Sequence, residues 1–599
     1  MLFRSVADFL RRLGPKCHRK SSTVARAVTL QGPWCEWLEQ RTLLSIDTLL
    51  VKDINTQFVS NGSNPADFTD VNGTLFFTAT TLAGGRELWK SDGTSVGTVQ
   101  VKDIVPGPGN AFPASLTNVN GALYFTANDG ITGTELWKSD GTAEGTVQVK
   151  DLSSGVGNSL PGSLTNINGT LYFTANDGIS GKELWKSDGT ATGTVLVKDI
   201  FAGSSGSSLN ALTDVDGTLY FTANDGVTGV ELWKSDGSEL GTVRVADIVV
   251  GAGSSTPESL TNVNGTLYFS AEVSISVDSM GVELIGNREL WKSDGTAGGT
   301  VQVADIVDGP GSSNPRSLTN VNGSLYFSAE VSLSIDSKGV ETIGNRELWK
   351  SDGTAGGTVQ VQDVRPGPAS SHPGAFTNVN GLLFFDANDS LSGTELWKSD
   401  GTAAGTVLVK NITAGNSGSF PGLLTSLNGV LYFSTNTVGA YAALWRSDGT
   451  EAGTVQISDV RVGFPESSSS TLAIVNGRLY FTANDGIGGA ELWALDGTEA
   501  GAVLVRDIST GTANSFAHNG TNVNNTLYFT ANDGIQGAEL WKSDGTLAGT
   551  IQVQDIFAGR GSSYPTELTN VNGTLYFSAL DGSGRELWKL DGTAAGPCA

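Results

Sequence analysis

Eleven tryptophans recur along the chain, at Trp89, Trp137, Trp185, Trp233, Trp291, Trp349, Trp397, Trp445, Trp493, Trp541 and Trp588. Most intervals are 48 residues; two are 58 and the last is 47. A fixed period in the range of about 20 to 50 residues means that one supersecondary unit is repeated, and that stacked neighbours rather than single units bury the core. The unit reads Leu-Thr-Asn-Val-Asn-Gly-Thr-Leu-Tyr-Phe-Thr-Ala-Asn-Asp-Gly, then Glu-Leu-Trp-Lys-Ser-Asp-Gly-Thr, then Gly-Thr-Val-x-Val-Lys-Asp-Ile. The two longer intervals come from near-duplicate inserts at 273–286 and 331–344, which replace the Asn-Asp-Gly loop ahead of the tryptophan.

The second unit shows what such a repeat can fold into. Asn120-Gly121 stands between two apolar runs, and both residues tolerate the positive φ of a type I′ hairpin turn. Asp140-Gly141-Thr142 returns the chain again after Trp137, so the unit contains four short antiparallel strands. Leu123, Tyr124 and Phe125 are consecutive, as are Leu136 and Trp137, and neighbouring strand residues point to opposite faces. Both faces must therefore be buried, which stacked blades achieve and a sandwich with one wet face does not. A β-solenoid fits less well, because its coils stack in parallel. The expected fold is all-β: a β-propeller of eleven four-stranded antiparallel blades of about 48 residues. Propellers usually hold about four to eight blades, so two rings are expected, with one large ring as the alternative. The degenerate eighth unit, 425–460, is the expected junction. The eleventh unit ends without its fourth strand, and an orphan copy, Thr-Leu-Leu-Val-Lys-Asp-Ile, stands at 48–54. That strand should close the last blade, with Leu50 facing Trp588, Val51 facing Leu587 and Lys52 facing Glu586.

Charge and composition narrow the function. The chain carries a net charge of −25, which argues against nucleic acid as a partner, and it lacks an apolar run long enough to span a membrane. Residues 1–45 differ from the rest, with eight Lys/Arg against three acids. Leu2, Phe3, Val6, Phe9, Leu10 and Leu13 recur at helical spacing among arginines, so this segment reads as a basic amphipathic targeting segment ahead of the repeat region at 46–599. Of the three cysteines, Cys17 and Cys35 could form a disulfide in an oxidising compartment, and Cys598 is alone near the end of the chain.

The segment Glu135-Leu136-Trp137-Lys138-Ser139-Asp140-Gly141-Thr142 and its copies resemble the ELWxxDGT repeat family of large exported bacterial proteins. The likeness covers about 47–597, with Ser238, Ala443 and Ala494-Leu495 as local departures. Leu38-Glu39-Gln40-Arg41-Thr42-Leu43-Leu44 resembles the Leu-Glu-Pro-Arg-x-Leu-Leu segment of planctomycete surface and secreted proteins, with Gln40 in place of Pro. The resemblance implies an extracellular or cell-surface location. It transfers no catalytic residue.

The repeated acids are best read structurally. Asp92, Asp140 and Asp188 suit Asx turns, in which the carboxylate accepts N–H groups two residues on. Calcium would need several carboxylates per loop, and no Asp-x-Asp-x-Asp-Gly series occurs. The Asn-Gly-Thr sequons, such as Asn72-Gly73-Thr74 and Asn168-Gly169-Thr170, follow from the turn requirement. His372 and His518 lie in polar loops; with His18 they are the only histidines. Catalysis needs an asymmetric constellation, which repetition opposes. No catalytic, metal or cofactor residue is therefore assigned. The expected role is a non-catalytic exported scaffold, adhesion or binding module whose partner is a protein or a surface glycan. The alternatives are a glycan-directed propeller hydrolase or lyase, or a calcium-dependent surface binder. The inserts, on adjacent units, could pair as a protruding ribbon.

Overall fold

The computed structural model describes residues 48–590, apart from 53, 55–61, 278–282, 309–310, 336–340, 437–442, 463–470, 486 and 496–501. Residues 1–45, with Cys17, Cys35 and His18, lie outside the described residues, as does Cys598. Among those described there is no helix. The strands form nine sheets of four and one of eight.

Blade 2 illustrates the unit. Its strands are Ala114–Val119, Ala122–Asn128, Thr134–Ser139 and Val147–Lys150, paired in sequence order and antiparallel. The first turn is built as expected, with φ of +52° at Asn120 and +83° at Gly121. Asn118 Oδ1 accepts the Gly121 N–H at 2.9 Å and tightens it. Leu123, Phe125, Ala127 and Trp137 face back onto Phe76, Leu88, Val101 and Ile104 of blade 1. Tyr124, Leu136, Val149 and Leu152 face forward onto Leu171, Phe173, Ala175 and Trp185 of blade 3. The consecutive apolar residues thus bury both faces of every blade, as the sequence pattern requires.

One such cluster lies between each successive pair of blades, and an eleventh joins the last blade to the first. In that closing cluster Val571, Tyr576 and Leu587 pack with Val51 and Ile54 against Leu75, Phe77 and Trp89. The first strands meet their neighbours' first strands around the centre, again from the last blade to the first, and between blades 8 and 9 the first turns are joined by Asn428 Nδ2, which donates to the Gly477 carbonyl at 3.1 Å. At this seam Gly73, with φ of +84°, lies directly under the Asn572 amide: a Cβ there would stand 1.9 Å from Nδ2 and would displace it. The described repeat region is therefore a single closed ring of eleven blades, and the expectation of two rings is corrected.

The eighth unit is no junction either. Leu431, Phe433 and Trp445 pack on blade 7, and Leu427, Tyr432 and Leu444 pack on blade 9. Its peculiarity is different. The fourth strand, Val455–Val462, runs on to pair Arg461 with Asn484 and Val462 with Ala483 of blade 9, which merges the two blades into the eight-stranded sheet. Ala443 stands here in place of the glutamate that, in the other blades, receives the N–H groups of the crossover, so the strand is not turned away at the usual point.

The orphan strand Leu49–Lys52 completes the last blade by pairing with Arg585–Leu590. Leu50 faces Trp588 as expected, but a bulge sets Lys52 opposite Leu587, not Glu586. Blade 2 has the same bulge: Leu136 faces Lys150 and Trp137 faces Gln148. The expected Glu–Lys cross-strand pair fails because both partners are engaged elsewhere. Glu586 accepts the N–H of Ile54 at 3.2 Å and of Ser63 at 2.8 Å, while Lys52 Nζ donates to the Thr98 carbonyl of blade 1 at 3.0 Å.

Candidate functional site

The repeated glutamate before each Leu-Trp is among the least accessible polar groups in the protein: Glu87, Glu135, Glu183, Glu231, Glu289, Glu347, Glu395, Glu491, Glu539 and Glu586 are all 0–1% exposed. Glu347 is representative. Its Oε2 accepts the Val364 N–H at 3.0 Å and the Ser371 hydroxyl at 2.6 Å, and its Oε1 accepts the Ser371 N–H at 2.9 Å. Each carboxyl thereby ties the third strand of one blade to the crossover entering the next. Burial outweighs these hydrogen bonds and pushes Glu87, Glu183, Glu231, Glu289, Glu347 and Glu491 up to about 7. Sequence reasoning missed this role. The available signal was the serine that recurs two residues before proline, as in Ser159-Leu160-Pro161 and Ser371-His372-Pro373.

The aspartates of the Asp-Gly-Thr turns do what the sequence indicates. Asp140 Oδ1 accepts the Thr142 N–H and hydroxyl, both at 2.8 Å, and these bonds hold the carboxyl below its usual range. The same Asx turns recur at Asp92 and Asp188. Among the described residues no group of three His, Cys, Asp or Glu side chains is arranged to hold a metal ion. The sequon asparagine Asn524 is also occupied, its Nδ2 donating to the Gly573 carbonyl at 2.9 Å; Asn120, at the same turn position but without a sequon, donates likewise to the Gly169 carbonyl at 3.2 Å, and these bonds link neighbouring turns. His372 and His518 are exposed. His518 Nδ1 lies 2.6 Å from the Phe516 carbonyl.

At the opposite ends of the blades from these turns, the loops between second and third strands share one face with the crossovers. Ser159 and Leu160 of one crossover donate to the Thr134 carbonyl at the start of a third strand, and Asn176, at the end of the next second strand, donates to the Ser159 carbonyl. On this face Asp129 Oδ1 accepts the N–H groups of Ile131 and Thr132 at 2.8 and 2.6 Å. That turn holds Ile131 outward, 70% exposed, and Ile179, Val227, Leu391, Ile487 and Ile535 stand likewise. The two inserts rise here as extended hairpins, Thr266–Val277 with Glu283–Ser293 and Ser324–Ile335 with Glu341–Ser351. Each belongs to its own sheet, so the described strands do not join as one ribbon. Their bases are pinned by Arg288, which bonds the Thr256 carbonyl at 2.9 Å and pairs with Glu272 at 3.0 Å, and by Arg346, which bonds the Asn314 carbonyl at 2.8 Å and pairs with Glu330 at 3.0 Å.

No family model matches the sequence, and no curated protein matches it. Among solved structures the chain is similar to a puromycin hydrolase at 14% identity, covering 70% of this chain and 58% of that one, with a TM-score of 0.26. It is also similar to the β-propeller domain of the Trilobed protease from Pyrococcus furiosus, at 12% identity over 58% of this chain and 98% of that one, TM-score 0.24. A third similarity is to the GH74 enzyme of Niastella koreensis, at 13% identity over 92% and 99%, TM-score 0.21. The class defined by the chain's own geometry is an eleven-bladed β-propeller.

Proposed function

We propose that the ring is a non-catalytic recognition scaffold of an exported, surface-located protein of the ELWxxDGT type. One observation carries the reading. The polar groups that recur in the repeat are engaged by the fold itself: glutamates cap crossovers, aspartates close turns and asparagines link neighbouring turns. Variation between blades is instead concentrated on the face that bears the loops, the crossovers and the two long hairpins. A rigid ring with one variable face suits binding, because loops on a fixed scaffold can diverge without loss of the core.

The test is to incubate the purified chain with a panel of proteins and polysaccharides, and to follow both retention and product release. Saturable retention with no release of reducing ends or peptides is expected. Release of reducing ends would contradict the reading in favour of a glycan-directed enzyme, and retention abolished by EDTA would favour a calcium-dependent binder.

A further inference from the structure

The crossover residue two positions before each first strand adopts a left-handed backbone in ten blades, with φ between +41° at Thr256 and +52° at Ser208. Proline follows it in most of them, which disfavours that conformation further. Asn64, Ser208, Thr256, Asn314 and His372 occupy the position in blades 1, 4, 5, 6 and 7. In blades 2, 3, 8, 10 and 11 it is Phe112, Leu160, Phe420, Phe516 and Tyr564. These five are 45–62% exposed. Two costs coincide there, a left-handed backbone under a bulky side chain and apolar surface left in water; the N–H groups of Leu160, Phe420 and Tyr564 bond the start of a third strand and hold the backbone, which leaves the exposed apolar surface without an account in the fold. The polar occupants of the other blades show that the fold does not require an apolar group at this point. The five lie on the loop-bearing face in blades 8, 10, 11, 2 and 3, an arc across the ring from the long hairpins of blades 5 and 6 that Asn64 interrupts in blade 1, the equivalent residue of blade 9 lying outside the described residues.

We infer that this arc is a binding lip for a neutral polysaccharide. The inference rests on the recognition reading above and names its ligand. The apolar side chains are set beside mostly neutral bulge residues, Ser115, Ser163 and Asn519, with the exposed Leu423 next to Phe420, while Asp67 is paired with Arg86 at 3.4 Å. Glu567 is the remaining charge on those bulges among the described residues. Rings separated by hydroxyl and amide groups match a polymer whose apolar sugar faces and hydroxyls repeat along its length. A continuous apolar groove, as an amphipathic helix would need, is not formed. The chain's net charge of −25 disfavours anionic polymers.

The experiment uses the full chain and a triple variant, F112N/F516N/Y564N, with retention measured on insoluble cellulose, chitin and curdlan and on the anionic polymer alginate. Asn is at home in a left-handed backbone, so the variant should melt at the same temperature as the parent or higher, while retention on a neutral polymer falls about tenfold or more. A clear fall in melting temperature would make these side chains structural and overturn the inference. Unchanged retention would overturn it too, as would parent binding to alginate alone. If the parent is retained on no polysaccharide but binds a protein through this face, the ligand class is wrong and the recognition reading stands; reducing-end release contradicts that reading itself.

Discussion

Stability should rise as the solution is acidified from about pH 8 to about pH 5, and the substitution Glu347→Gln isolates one site's share of the effect. Burial pushes Glu347 up from 4.5 to about 7. Between those values the folded chain keeps a proton that the unfolded chain releases, so each rise in pH favours unfolding. The penalty is absent below the unfolded value and fully present above the folded one. With a pKa unit worth ~1.4 kcal/mol, this site accounts for at most about 3 kcal/mol between the two limits. A glutamine has no proton to lose. It can accept the Ser371 N–H through its oxygen and donate to the Ser371 hydroxyl, which leaves the Val364 N–H buried without an acceptor, at a cost of about 1–3 kcal/mol. Glu347→Gln should therefore destabilise the protein by that amount near pH 5 and be close to neutral near pH 8. Urea unfolding of parent and variant at both pH values reads the difference as a shift in midpoint. If the parent gains stability on moving to the higher pH, or the variant loses the same amount at both, the reasoning about the buried carboxyls is refuted.

Cysteines at Leu49 and Lys589, paired across the closing strand, should form an intramolecular disulfide under mild oxidation in a background lacking Cys17, Cys35 and Cys598; crosslinks only between molecules would mean that the ends pair in trans. Asp140→Ala removes two hydrogen bonds from one exposed turn and should cost about 1 kcal/mol, read by thermal melting. EDTA should leave the parent's melting temperature unchanged, and a loss of many degrees restored by calcium would replace the Asx-turn reading of these loops.

Much of this fold is legible in the sequence because its rules are local. Asn120-Gly121 fixes a turn by φ alone, and Leu123-Tyr124-Phe125 requires two buried faces whatever the ring size. Ring size is not local. Every interface uses the same kinds of residue, so the pattern of one interface does not record how many of them close the ring. The bulge also defeated the register: pairing Glu with Lys across strands assumed both side chains on an open sheet surface, whereas Glu135 turns inward to the Leu152 and Ser159 N–H groups and Lys150 reaches the Thr194 carbonyl of the next blade. The lip formed by Phe112, Phe516 and Tyr564 was illegible for a related reason. As sequence these are ordinary apolar residues before a first strand, and only the backbone conformation and exposure set them apart.

Single-particle electron microscopy of the purified chain, classified for views down the ring axis, tests the central claim most directly. One closed ring with eleven spokes, two of them carrying the long hairpins, is the predicted image. Two smaller rings, an open arc, or a ring with another number of spokes would contradict it.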